Sequence, residues 1–284
     1  MSLALKYRPA GPMDRAALTA LLNSSPRLYR HLDWCPPLDW LGSKPFWLVE
    51  EHGQIQAVLA MPDDPPGIAW IRLYVTSPKT NSYLYWQPLF ERCLAHYRKG
   101  LLPLIPGLGL QEWFANLLEA NGFTVHQHIV GLARELHNPL PTGPINPDVF
   151  IRPMEFEDLE IVAQIDQAAF EPIWRNSLEQ IRLSYLQAAY ASVAEMDGEV
   201  IGFQLSTHNM FSAHLARLAV VPRWMGQRVG FSLIVDLVRK FQKDSLWQVT
   251  INTQDNNTSS LALYQKAGFG LTGETYPVYL YQTE

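Results

Sequence analysis

Between Val229 and Gln242 apolar residues return every three or four positions. Val229, Leu233, Ile234, Leu237, Val238 and Phe241 share one face of a helix. Trp247 to Thr253 alternates instead, as a strand does, and so does the stretch from about His214 to Val220. Upstream, the runs Ala191–Ala194 and Val200–Leu205 flank Met196-Asp197-Gly198-Glu199, a hairpin pattern with glycine in the turn. Ser259 to Ala267 predicts a short helix, and Gly268 stands where a helix closes on a left-handed residue. Period-two strands interleaved with helical stretches make the fold class mixed α/β.

The same order of patterns occurs twice. Tyr7-Arg8-Pro9 matches Ile151-Arg152-Pro153 at an offset of 144. Each is followed by an acidic residue and a helical pattern, Met13 to Leu22 in one copy and Glu157 to Phe170 in the other. Val49-Glu50-Glu51-His52-Gly53-Gln54-Ile55 matches Ala194-Glu195-Met196-Asp197-Gly198-Glu199-Val200 at 145. Arg72-Leu73-Tyr74-Val75 matches Arg217-Leu218-Ala219-Val220, again at 145, and Pro78 then matches Pro222. Leu117 to Phe123 matches Leu263 to Phe269 at 146. Ordered matches at a nearly constant offset mark a duplication. Two domains of one fold are expected, residues 1–140 and 148–284. The linker is the Pro/Gly/Asn stretch from Asn138 to Pro147, which cannot continue a helix or a central strand.

Composition narrows the function classes. Hydrophobic residues make up 48% and charged residues 17% of 284, so two cores are available and disorder is excluded for most of the chain. The net charge of -5 argues against a general nucleic-acid binder. Residues 1–142 carry 12 basic and 11 acidic side chains and the remainder 10 and 16, so the second half is acidic and mildly favours a cationic acceptor. No apolar run approaches the roughly 20 residues of a membrane span. Leu101 to Leu110 is broken by Pro103, Pro106, Gly107 and Gly109. No basic start leads into an apolar run, so no signal peptide is expected. Cys35 and Cys93 form no CxxC pair, which argues against a disulfide framework and a thiolate zinc site and favours a cytoplasmic location.

Two segments of the second copy carry candidate chemistry. In Leu218 to Ile234 an apolar strand meets Pro222, then a loop with Gly226 and Gly230, then a helix. Such a loop leaves N–H groups unpaired at the helix start, an anion site suited to a pyrophosphate. Taken alone it is an ordinary connection more often than a site. In Asn252 to Phe269 a polar loop leads into a helix, with Tyr264 one turn after Ser260. Taken alone, Tyr264 is a core aromatic with a wet hydroxyl.

Together the two segments resemble the GNAT superfamily of acyl-CoA-dependent N-acyltransferases, over about Val149 to Gln282. The family's phosphate loop, [Gln/Arg]-x-x-Gly-x-[Gly/Ala] after a Val-x-Pro strand end, falls on Met225-Gly226-Gln227-Arg228-Val229-Gly230. Its later motif falls on Asn257, Leu263-Tyr264 and Gly268-Phe269. The resemblance implies two tandem GNAT-like domains, each a mostly antiparallel sheet flanked by helices, with two strands splayed into a V. It implies acetyl-CoA as cosubstrate, no metal, and a small-molecule or peptide amine as acceptor. The pantetheine arm would lie along Leu218, Ala219 and Val220. The pyrophosphate would rest on the amides of Met225, Gly226, Gln227, Arg228, Val229, Gly230 and Phe231, with Asn257 in the later motif. By the same resemblance an amine would attack the thioester carbonyl, strand N–H groups such as that of Val220 would stabilise the oxyanion, and Tyr264 would protonate the departing thiolate.

Departures from the pattern matter. Met225 stands where the family prefers Gln or Arg, and Arg228 where it usually has glycine. Arg228 either crowds the phosphates, with backbone strain if its φ is positive, or pairs with one of them. In the first copy the loop after Pro78 reads Lys79-Thr80-Asn81-Ser82-Tyr83, with no glycine, and Leu118 matches Tyr264. That copy is expected to bind no acetyl-CoA and to support or shape the acceptor pocket. His214 is the candidate general base, titrating near neutrality, with Glu195 and Asp255 behind it. His126-x-His128 lacks a third ligand, so no metal site is expected. Asp166, Glu171 and Glu179 are expected on solvated helix faces. An acetyltransferase is the leading reading. The alternatives are a non-catalytic acyl-CoA sensor or interaction module, and a scaffold without cofactor. The acceptor loops, Phe170 to Tyr185 and Thr275 to Gln282, show no motif. A tandem chain can satisfy its own dimer-like contacts, which leans towards a monomer.

Overall fold

The computed structural model describes residues 5–98, 100 and 102–282. The chain forms two compact units. One runs as far as His126 and takes in the chain from Pro277; the other is Gln127–Tyr276.

The first unit contains β1 (Lys6–Pro9), α1 (Arg15–Ser24), β2 (Leu28–Arg30), β3 (Phe46–Glu51), β4 (Gln54–Ala60), β5 (Leu73–Thr76), α2 (Trp86–Tyr97), β6 (Pro106–Leu108), α3 (Glu112–Glu119) and the start of β7 (Phe123–Glu135). Its sheet has the order β1-β3-β4-β5-β2 and is antiparallel throughout. Trp86, Phe90, Phe114, Leu118 and Phe123 build one core; Leu18, Phe46, Leu48 and Leu73 build a second.

The second unit contains β8 (Phe150–Pro153), α4 (Leu159–Ala169), α5 (Leu178–Gln187), β9 (Tyr190–Met196), β10 (Glu199–His208), β11 (Ser212–Val220), α6 (Val229–Lys243), β12 (Gln248–Gln254), α7 (Thr258–Lys266) and most of β13 (Gly270–Tyr281). Here β8, β9, β10 and β11 pair antiparallel in order, β11 pairs parallel with β12, and β12 pairs antiparallel with Ile129–Glu135 of β7. On one face Leu159, Val162, Ile165 and Ile181 of α4 and α5 pack on Val193, Phe203 and Ala219. On the other, Phe231, Ile234, Leu237, Val238 and Phe241 of α6 pack with Tyr264 of α7. The expected hairpin is present but longer, because its turn is only Asp197-Gly198. Their φ values of 52° and 78° suit the tight turns that continue strand twist.

The duplication holds at the level of side chains. Arg8 donates to Asp14 (2.8 Å) and Glu50 (3.0 Å), and Arg152 donates to Asp158 (2.7 Å) and Glu195 (2.9 Å). The arginine holds Asp14 and Asp158 below the usual carboxylate range in both copies.

The units do not divide at the Pro-rich linker. Ile129–Glu135, ahead of that linker, completes the sheet of the second unit. Val278–Leu280, at the far end of the chain, pairs with β6 in the first. Each copy thus takes a strand from beyond the boundary expected at 140–148. Local composition marks where the chain turns irregular, but strand pairing decides which sheet a strand joins. Among the described residues no helix is long and apolar enough to cross a membrane.

Candidate active site

The site grows from a fork in the second unit's sheet. Parallel pairing of β11 with β12 ends at Leu215 and Ile251. Opposite Leu205 and Ser206 the register slips, leaving Ala216 as an extra residue in β11. A bulge bends and twists its strand, and here it turns β11 out of the ladder. Val221 N–H bonds the Ile201 carbonyl, so by antiparallel alternation Leu218 and Val220 aim their amides away from β10, towards the opened edge. Of the predicted strand residues, Leu218 and Val220 present main-chain groups there, while Ala219 bonds towards β10.

Beyond the strand the chain makes a 3-10 turn over Pro222–Trp224 and enters α6. Met225 N–H bonds the Pro222 carbonyl and Gln227 N–H the Trp224 carbonyl, which takes these two predicted amides out of the anion site. The amides of Gly226, Arg228, Val229, Gly230 and Phe231 have no acceptor among the described residues. They lie at the positive end of the α6 dipole. The two glycines serve different ends. Gly226 has a φ of 78° with open space around it, so its backbone conformation requires glycine. At Gly230 a Cβ would stand 3.1 Å from Leu263, so its bareness lets α6 approach α7. Arg228 is left-handed with a φ of 67°, the strained case foreseen for it; its side chain is exposed.

Tyr264 lies on α7 and is only 6% exposed. Burial pushes its phenol up to about 12, against the opposing pull of the Ser260 hydroxyl and the Arg217 charge, so it keeps its proton at neutral pH. Asn257 caps the same helix: its Oδ1 accepts from Ser260 N–H (3.1 Å) and from the Ser259 hydroxyl (3.0 Å). The side chain of Asn257 thereby fixes the helix that carries Tyr264.

His214 sits at the closed end of the fork, paired with Thr250. The Thr250 hydroxyl donates to the Ala213 carbonyl (3.3 Å), so His214 Nδ1–H donates to Thr250 Oγ1 (2.9 Å) and Nε2 keeps its lone pair. Burial lowers the His214 pKa, leaving the ring neutral at pH 7. The other candidate bases are placed differently. Glu195 is engaged by Arg152, and Asp255 lies on the surface 3.5 Å from His128. No group of three or more metal-ligating side chains occurs among the described residues.

Asp166 corrects the expectation of a solvated helix face: it is fully buried. It accepts from Arg217 Nε (2.6 Å) and Nη2 (2.8 Å) and from Asn176 N–H (2.8 Å). The Arg217 guanidinium also lies 3.5 Å over the Phe170 ring and donates to the Trp174 carbonyl. Arg217 stands at the bulge, so this clamp fixes the fork to α4. The signal was in the repeat: Arg72 holds the same place in the first copy and pairs with Asp33 at 2.8 Å. An arginine inside an apolar strand calls for a buried acid.

In the first unit the equivalent edge is closed. Leu73–Val75, the counterpart of Leu218–Val220, pairs with β2 through Leu28, Tyr29 and Arg30. The loop amides are tied off locally: Thr80 N–H bonds the Ser77 carbonyl, Leu84 N–H the Asn81 carbonyl and Tyr83 N–H the Asn81 side chain. The Tyr74 hydroxyl bonds the Ser82 carbonyl, and Leu118, in the place of Tyr264, is fully buried.

Comparison with known proteins agrees with this geometry. The profile of the "Acetyltransferase (GNAT) family" matches residues 159–269. A spore coat polysaccharide biosynthesis protein, SpsD, of Bacillus subtilis is 29% identical over 122 residues, 43% of this chain and 40% of its own length. A protein named as a putative [ribosomal protein bS18]-alanine N-acetyltransferase, also from Bacillus subtilis, is 25% identical over 118 residues, 42% of this chain and 78% of its own. The chain thus spans only about two fifths of SpsD. Among solved structures, a tandem GNAT protein from the clavulanic acid biosynthesis pathway superposes with a TM-score of 0.60 over 98% of both chains at 15% identity, a likeness of fold. With its forked sheet, its loop of free amides and this profile match, the second unit is a domain of the GNAT acetyltransferase family.

Proposed function

We propose that the protein transfers an acetyl group from acetyl-CoA to a primary amine, and that its second unit alone does so. The observation that carries this is the open edge of β11 at Leu218 and Val220, leading directly into five free amides at the start of α6. These residues fit an acyl-CoA: strand amides suit the amide-bearing pantetheine arm, and helix-start amides suit a pyrophosphate. When bound, acetyl-CoA supplies an acyl group activated as a thioester. Val220 N–H is aimed where negative charge develops on the acyl oxygen. Tyr264 holds a proton for the leaving sulfur. His214 Nε2, kept unprotonated by burial, takes the acceptor's proton through intervening water, because His214 stands six residues from Val220 along β11. The acceptor is a small-molecule amine or a protein amine, in keeping with the N-acetyltransferase name of one relative.

Replacing Tyr264 with Phe tests the assignment. Turnover is expected to fall by at least about tenfold, with CoA affinity unchanged. Unchanged turnover would remove Tyr264 from the chemistry. Wild-type protein that binds CoA but acetylates none of a broad amine panel would favour the non-catalytic sensor.

A further inference from the structure

The stretch from Leu136 to Val149 has no regular structure, yet Asn146 within it is fully engaged. Its N–H donates to Ser232 Oγ (3.3 Å) and its Nδ2 to the Gln227 carbonyl (3.0 Å). Its Oδ1 accepts from Asp148 N–H (3.0 Å) and its carbonyl from Val149 N–H (3.3 Å). Ser232 Oγ in turn donates to the Arg228 carbonyl at 3.1 Å, which also accepts from Ser232 N–H at 3.0 Å. Gly143 brings the same stretch against the first turn of α6, where a Cβ would stand 2.9 Å from the Phe231 ring.

The carbonyls held this way belong to Gln227 and Arg228, the two peptide groups that flank the left-handed Arg228. In a trans peptide the C=O and N–H point in opposite directions. Fixing the Gln227 carbonyl on Asn146 therefore turns the Arg228 N–H away from the linker. Fixing the Arg228 carbonyl on Ser232 does the same for the Val229 N–H. Both amides are among those without an acceptor. We propose that Asn146 is a positioning residue for acyl-CoA: by holding the Gln227 and Arg228 carbonyls, directly and through Ser232, it aims the Arg228 and Val229 amides at the pyrophosphate. The inference rests on the reading that this loop binds acyl-CoA. It gives the linker a part in the site beyond joining two halves.

Calorimetric titration of the full chain with CoA, paired with steady-state kinetics, tests it. Asn146→Ala is expected to weaken CoA binding by about tenfold, the loss of one well-placed contact. Turnover at saturating acetyl-CoA should stay within about twofold, because the reacting groups are untouched. With S-acetylpantetheine, which ends before the pyrophosphate, kcat/KM should not change. Ser232→Ala, which removes the separate hold on the Arg228 carbonyl, should weaken CoA in the same direction. If Asn146→Ala binds CoA as the wild type does, or loses S-acetylpantetheine and acetyl-CoA alike, the positioning role is wrong. A wild-type chain that takes no CoA at all overturns the acyl-CoA reading and this inference together, so the two failures are told apart.

Discussion

Single buried polar residues set the demands on this protein. Arg72 and Arg217 occupy one position of the repeat, and each pairs with an aspartate: Asp33, largely shielded, and Asp166, fully buried. His31 is a sharper case: its ring stacks on Trp70 at 4.5 Å, and its buried Nδ1 has no hydrogen-bond partner among the described residues. Burial first, and the Arg72 charge second, hold its pKa well below the ordinary value. The unfolded chain takes up a proton near pH 6.5 and the folded chain does not, so stability falls as pH drops below about 6.5. His214 adds to the same trend. Denaturant titrations between pH 7 and 5 should show this slope. In His31→Gln it should shrink by about one proton, or about 1.4 kcal/mol per pH unit. An unchanged slope would mean that His31 takes up its proton in the folded state.

Among the elements, the junction of β11 with α6 concentrates the functional geometry. Arg228 holds a left-handed backbone that costs an L-residue roughly 1–2 kcal/mol, whereas glycine adopts it freely. Glycine's greater chain entropy in the unfolded state offsets most of that gain, so Arg228→Gly should shift the melting temperature little. Binding reports the other role. The guanidinium is exposed and belongs to no ion pair among the described residues, which leaves it free to meet a phosphate. Calorimetry should show CoA affinity falling about tenfold or more in Arg228→Gly. Tighter binding would instead make the arginine an obstruction.

For the molecule as a whole, the duplication left one open edge out of two. β2 occupies in the first unit the strand edge that stays open in the second, and the Thr80, Tyr83 and Leu84 amides are taken by local turns. One CoA per chain is therefore expected in a titration; two would show that β2 yields its place. The duplication, the mixed α/β class and the strand-loop-helix with Tyr264 behind it were legible in the sequence, because periodicity, glycine placement and repeated motifs are local properties. Arg152 with its acidic partners was half legible: the arginine and Asp158 are near neighbours, but Glu195 joins them only across a strand pair. Tertiary structure alone decided the rest. It buried Asp166 against Arg217, and it closed the first fork with β2. It paired Ile129–Glu135 and Val278–Leu280 with strands across the expected boundary, and it brought Asn146 to the Gln227 carbonyl. Each is a pairing between residues far apart in the chain, set by which partner satisfies a buried charge or an open backbone edge, and no local pattern encodes that choice.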